Sequence, residues 1–296
     1  MPTLPPPAAP QQRPGSDGAF APRPRVSSLR AALRAYPTML RVGFAGSIAY
    51  RAESIVWMLT NTMPLVNLAL WHAVTRDGPV AGYGQHELTG YFLAALIVRQ
   101  LTGSWVLWEM SREIRMGLLS LRLLRPVHPL YAYSAENLAA MPLRAGFVIP
   151  VVLVIFALVG KGGLSHDPLV WALLPVALVG AWLITFFSMA MLGSLAFFLE
   201  SALGAFEVWL ALYFSLSGYL FPLDFFGTRA PWVVTVAHAL PFYLMNGFPV
   251  EMMLGQHSVA VIAHHLARQW LYVFGFFGAT LLTWRAGMKR YNAYGA

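Results

Sequence analysis

SREIRMGLLSLRLLRPVHP, residues 111–129, is the longest charged run between two apolar blocks, and its reading decides how the rest of the chain is arranged. In helical register Ile114, Leu118, Leu121 and Leu124 recur at spacings of four and three and fall near one face. Arg115 and Arg122 share another face, with Arg112 beside them. Pro126 stops the helix, because it has no N–H to donate and its ring clashes with the preceding turn. The expectation is a short, basic, amphipathic helix. Two roles fit it: it lies on a lipid surface, or a cytosolic partner grips it.

Working outward, the chain has 296 residues, of which 58% are hydrophobic and 11% charged. Soluble domains carry roughly 25% charged residues, so this is the composition of an integral membrane protein. Six blocks are apolar over the roughly 20 residues that a helix needs to cross the hydrocarbon. They fall at about 52–74, 89–110, 138–160, 170–199, 203–223 and 261–284. None shows the alternation of an outer-membrane barrel strand. The fold class expected is an all-α integral membrane protein with six transmembrane helices. Residues 1–25, rich in Pro, Ala, Gln and Arg, read as a disordered cytosolic tail. They are not a signal peptide, since no apolar core follows their first charges. A single transmembrane domain is expected over 26–292, opened by a basic interfacial stretch up to Arg51, with 293–296 as a C-terminal tail.

Orientation follows from the arginines and lysines that flank the spans. With the N-terminus in the cytosol, the inside holds Arg13, Arg23, Arg25, Arg30, Arg34, Arg41, Arg51, Arg112, Arg115, Arg122, Arg125, Arg144, Arg285, Lys289 and Arg290. The outside holds Arg76, Lys161 and Arg229, with Arg268 near the outer end of the last span. Both termini are therefore expected in the cytosol. This places residues 111–129 in the cytosol between the second and third spans. The net charge of +8 reads as topology, not as a nucleic-acid surface. Residues 222–255 are then external, yet they stay apolar and aromatic between Pro222, Pro231, Pro241 and Pro249. Short helices dipping back into the outer leaflet fit that pattern, their broken backbone satisfied by the bundle.

Catalytic constellations are absent from the sequence. No phosphate-binding G-x-x-x-x-G-K-[ST] occurs, so the chain has no P-loop for ATP. With no cysteine there is no thiolate chemistry. No His-Glu-x-x-His occurs, and His264–His265 cannot offer both rings to one metal from a regular helix face. No metal site or catalytic set is expected.

Arg99 is the most informative single residue, near the middle of the second span. Insertion there costs roughly 2.5–3.5 kcal/mol unless the residue faces the bundle interior or a partner. It is either a pathway or subunit-interface residue, or part of a structural polar contact. Glu207 in the fifth span is the candidate partner. Asn61 and Asn67 on the first span fit a pathway or interhelical hydrogen bonds equally. Tyr213 and Phe214, among the aromatics of the fifth span, are candidates to line a path for an apolar substrate.

The order of these features resembles the membrane subunits of ABC transporters of the type-2 exporter class. The resemblance covers about residues 26–292. SGYLFPLDFF (217–226), followed by Pro231 and Pro241, looks like that family's end of span five and its external helices. GLLSLRLLRPVHPLYAY (117–133) resembles a bacterial subgroup that pairs with a second, different permease and a separate ATPase. The resemblance implies an interfacial N-terminal helix, a cytoplasmic coupling helix and external re-entrant helices. It also implies an ABC ATPase partner that binds ATP and Mg, leaving this chain without a cofactor of its own and without catalysis. A second permease completes the path, a heterodimer being favoured over a homodimer. Ile114, Leu118 and Leu121 would then fit a groove on the ATPase, while Arg115, Arg122 and Arg125 touch its acidic rim. A stand-alone ion- or proton-coupled transporter is the alternative; it wants acidic residues deep in the spans, and only Glu207 approaches that.

Overall fold

A computed structural model describes residues 29–49, 55, 56, 59, 62–159, 164–227 and 230–291, and these are helical apart from short connections and one isolated bridge between Val80 and Tyr83. The tails at 1–25 and 293–296, and with them Asn61, lie outside the described residues. Three stretches are long and apolar enough to cross a membrane: Gln85–Arg115, Pro129–Val154 and Pro168–Phe197. Two further apolar helices, Met63–Val74 and Leu203–Leu216, are shorter.

Helix α1 (Leu29–Ala49) packs against α6 (Pro129–Ala139). Gly43 allows the approach: a Cβ there would lie 2.8 Å from the Ala139 Cβ. The Tyr36 hydroxyl also sits 3.1 Å from Ser134 Oγ. Arg34 and Arg41 stay exposed, as do Val42 and Ile48, so the helix shows a mixed basic and apolar surface.

Helix α2 (Met63–Val74) packs on α3 (Gln85–Thr102). The block expected to run unbroken from 89 to 110 does not. It stops at Thr102 and restarts as α4 (Val106–Arg115). Gly103 takes an extended backbone, with ψ 139°. Its carbonyl is held by Arg144 Nη1 at 2.9 Å, so a cation sits at the negative end of the α3 dipole. Arg144 lies on α7 (Met141–Val159), which packs along α3.

Helix α8 (Pro168–Ser194) forms the middle of the bundle, with α13 (Val259–Met288) along it and α4 against its lower half. Gly180 has no side chain because Gln269 occupies that space, where a Cβ would fall 2.5 Å from Gln269 Oε1. The Gln269 amide donates to the carbonyls of Ala177 and Leu244, each at 2.9 Å, and so joins α8 to the proline-punctuated segment.

The fifth block is helical only as α9 (Leu203–Leu216), shorter than the expected 203–223. The chain unwinds at Gly218, whose φ of +76° suits glycine. The carbonyls freed there find side chains: Tyr91 Oη donates to Gly218 at 2.7 Å, Asn67 Nδ2 to Tyr219 at 3.2 Å, and Trp71 Nε1 to Leu220 at 3.0 Å. Broken backbone in an apolar setting has to be satisfied by protein in this way. The proline-punctuated segment then forms α10 (Pro231–Ala239), α11 (Pro241–Met245) and α12 (Gly247–Met253). Every residue from 241 to 253 is buried, so this segment is part of the core.

Candidate functional site

Residues 111–129 are not one helix. Helix α4 carries the stretch to Arg115, the chain turns at Gly117 with φ +72°, and α5 (Leu119–Leu123) adds a short second piece. The turn divides the apolar residues that helical register had put on one face. Ile114 and Leu119 are buried in the core, 6% and 0% exposed. Leu118, Leu121 and Leu124 point outward at 42%, 60% and 78%, joined by Met116 at 66%. Tyr291 Oη donates to the Gly117 carbonyl at 3.0 Å, so the far end of α13 pins the turn.

The arginines divide as well. Arg122 was expected to reach a partner's acidic rim, but its guanidinium is committed within this chain. Its Nε and Nη2 grip Glu113 at 2.6 and 2.9 Å. Nη1 and Nη2 grip Glu136 at 2.9 and 3.0 Å, and Nη2 also reaches Glu109 at 2.6 Å. Its Cζ lies 4.2 Å from the centre of the Tyr133 ring, whose hydroxyl donates to Glu113 at 2.6 Å. Burial alone would lower the Arg122 pKa; its hydrogen bonds to Glu113 and Glu136 outweigh that and hold it above the usual value. The cluster ties α4, α5 and α6 together. Arg115 is exposed, with Nη1 donating to the Glu200 carbonyl at 3.2 Å, and Arg125 is exposed too. Thus Leu118, Leu121, Arg115 and Arg125 lie where a partner can reach them, whereas Ile114 and Arg122 do not.

A second site forms at the broken helix. Arg99 is in the last turn of α3, four residues before Gly103, so the negative end of a helix dipole offsets its charge. Its Cζ stands 5.3 Å from the Tyr213 ring centre and 5.8 Å from that of Tyr219. Tyr213 is 1% exposed and stacks on Trp209 at 5.4 Å, while Phe214 stacks on Tyr219 at 5.5 Å. The structure thus brings Arg99, Tyr213 and Phe214 together. It separates Glu207, which is exposed on α9 and is not ion-paired with Arg99. Asn67 is 4% exposed and works as the hydrogen-bond donor to Tyr219.

Sequence reasoning missed the Glu113, Glu136 and Tyr133 partners of Arg122. The four-residue spacing of Glu109 and Glu113 was one available signal. The break at Thr102-Gly103-Ser104 was another, since glycine beside a hydroxyl residue is a common punctuation of helices. Among the described residues, no group of three or more His, Asp or Glu side chains is placed to hold a metal ion.

A helical membrane protein with an exposed apolar patch between arginines, and with no nucleotide-binding motif, has the form of a transporter's membrane component. The chain belongs to the ABC-2 family: the model described as "ABC-2 family transporter protein" matches residues 61–295. Nothing among the curated proteins matches it. The family's membrane domain is typically a non-catalytic permease.

Proposed function

We propose that this ABC-2 membrane subunit docks a separate ABC ATPase through Met116, Leu118, Leu121 and Leu124, and that ATP-driven closure of the ATPase dimer moves this patch to switch the bundle. The observation that carries the reading is the contrast within one short stretch. Four large apolar side chains are exposed above a base that Arg122 locks. An apolar patch rimmed by Arg112, Arg115 and Arg125 suits a groove with an acidic edge, as interfaces combine an apolar core with a polar rim. ATP and Mg belong to that partner, which accords with a sequence that has no phosphate loop.

In this reading the chain has six spans, with α2, α9 and α13 adding to the three long ones, and both termini in the bacterial cytosol. The asymmetric arginine and lysine distribution supports that topology. A second permease subunit, preferably a different chain, completes the pathway, and the exporter-like layout supports outward transport. The cargo passes the break in the second span, because discontinuous helices mark binding sites in transporters. There Arg99, Tyr213 and Phe214 offer a cation and aromatic faces.

The test is capture of the cognate ABC ATPase. Leu121→Glu and Leu124→Glu change exposed residues, so folding should survive, and capture should fall at least tenfold. Unchanged capture in both variants overturns the docking assignment. Transport in proteoliposomes that contain no ATPase overturns the ATP-driven reading.

A further inference from the structure

The fold splits the neighbours His264 and His265. His264 is exposed, whereas His265 is 7% exposed and turns into the joint between α13 and the proline-punctuated segment. Its ring centre lies 5.5 Å from that of Tyr243 on α11 and 5.1 Å from that of Phe248 on α12. The ring of His257 is 5.4 Å away and that of His238, on α10, 6.1 Å. The buried His265 Nδ1 has no hydrogen-bond partner among the described residues. Beside it a closed triad forms. Tyr243 Oη donates to Glu251 Oε2 at 2.5 Å. His257 Nε2 stands 3.0 Å from each of those oxygens. The hydroxyl proton goes to the carboxylate, so His257 Nε2 carries a hydrogen and donates to both.

We propose that this cluster is a proton-binding latch, in which a proton arriving at His265 releases α12 and the 254–258 connection from α13. Charge carries the argument. Helix α12 brings one carboxylate, Glu251, whose side chain is 8% exposed. Around it stand the imidazoles of His238, His257, His264 and His265, and Arg268, whose Nη2 donates to the His238 carbonyl. Asp224, which is exposed, accepts from Tyr83 Oη at 3.1 Å. Tyr91 of α3 and Tyr83 before it bring neutral hydroxyls, and α8 has no ionisable side chain. Glu251 balances one proton, on the His257 ring that already donates to it. A second, on His265, would set an imidazolium 5.4 Å from the His257 ring with an Nδ1–H that nothing accepts. A buried charge left unpaired is destabilising. The proton therefore binds more readily once α12 has moved off, and acid favours the released state. A single coupled proton shifts the ratio of released to latched by up to about tenfold per pH unit. Helix α10 stays held, because Arg268 and Tyr272 Oη donate to the carbonyls of His238 and Ala239. In the topology proposed above the joint lies at the outer end of the bundle; the latch itself needs neither the ATPase nor the cargo.

Hydrogen exchange of the full chain in lipid nanodiscs, corrected for intrinsic rates, tests the latch from about pH 7.5 to about pH 4.5. Amides of 247–258 should lose protection by at least tenfold while those of α8 and α10 hold. His265→Phe keeps a ring against Phe248 and cannot take the proton. It should keep the protection seen at neutral pH and lose the acid response. His265→Gln, also uncharged throughout, serves if the phenylalanine variant does not fold. An acid response that persists in both variants would place the titration on Glu251 or another histidine and overturn the proposal. Flat protection in the unaltered chain would overturn it too, as would a loss shared equally by α8 and α10, which is general acid unfolding.

Discussion

Arg99 and Arg122 are two arginines of one chain housed by opposite means. Arg122 sits among Glu109, Glu113 and Glu136 and against Tyr133, with 11% of its side chain exposed. Arg99 sits at the C-terminal end of a broken helix between the rings of Tyr213 and Tyr219. One guanidinium is gripped by full charges; the other stands at a helix C-terminus with aromatic faces beside it. Three carboxylates near the middle of a span would each add their own insertion cost; tyrosines add none of that magnitude. The first arrangement makes a rigid joint. The second sets a cation against two tyrosine rings, the arrangement that the proposed cargo path would use.

The sharpest way to break this comparison is to remove each arginine in turn. Arg122→Ala strands three neighbouring carboxylates, and loss of one partner of a buried pair costs about 3–5 kcal/mol. The unfolding midpoint of the purified protein should fall accordingly, and protease should cut first near residues 115–130. Arg122→Lys keeps the charge but loses the two-pronged grip on Glu113 and Glu136, so it should recover only part of the loss. Arg99→Leu should cost less, about 1–2 kcal/mol, on the scale of cation–π contacts away from bulk water. Its main effect should appear as lost transport in an intact fold. An Arg99 variant that unfolds as readily as Arg122→Ala would erase the distinction between joint and pathway.

Within the 111–129 stretch a smaller effect sharpens the same contrast. Gly117 takes φ +72° where the chain turns outward, and its carbonyl is pinned by Tyr291. Gly117→Ala places a Cβ in the left-handed region, at a cost of roughly 1–2 kcal/mol. The exposed leucines should then lose their fixed placement while the Arg122 cluster holds. ATPase capture should weaken by about tenfold, while the unfolding midpoint falls only by what this local strain accounts for, less than in Arg122→Ala.

How much of this was legible in the sequence depended on which signal was local. The membrane class and the proline-cut short helices between Pro231 and Met253 follow from composition and punctuation alone. The helix break at Gly103 was not apparent because apolar blocks read as continuous whether or not the backbone is. The inward turn of Ile114 and Arg122 was hidden for a related reason. Helical register predicts a face only while the helix persists, and Gly117 ends that register three residues after Ile114. Arg122 was read as outward because its partners lie nine, thirteen and fourteen residues away, on other helices. Glu207 was offered as a partner for Arg99 because both sit in apolar blocks; the structure sets Tyr213 and Tyr219 against Arg99 and leaves Glu207 exposed on α9.

The smallest expected effect concerns the far edge of the joint, where α6 begins. His128 caps that helix: its Nδ1 accepts the Leu130 N–H at 3.2 Å, which fixes the neutral ring with its proton on Nε2. Burial, with the nearby positive charge of Arg285, lowers the His128 pKa from the imidazole's usual range. The folded chain therefore binds fewer protons here than the unfolded one, and stability rises with pH through this group. The cap's contribution is complete above the ordinary imidazole value of about 6.5 and is lost as the pH falls through the lowered value. A cap of this kind contributes about 1 kcal/mol. Hydrogen exchange at the first turn of α6 should accelerate by up to about fivefold between pH 7 and pH 5, after correction for intrinsic rates. His128→Asn, which keeps an accepting side-chain oxygen for the N-cap, should remove most of that pH dependence while exchange around Arg99 stays unchanged. Equal acceleration in the asparagine variant would assign the effect to another group on the joint.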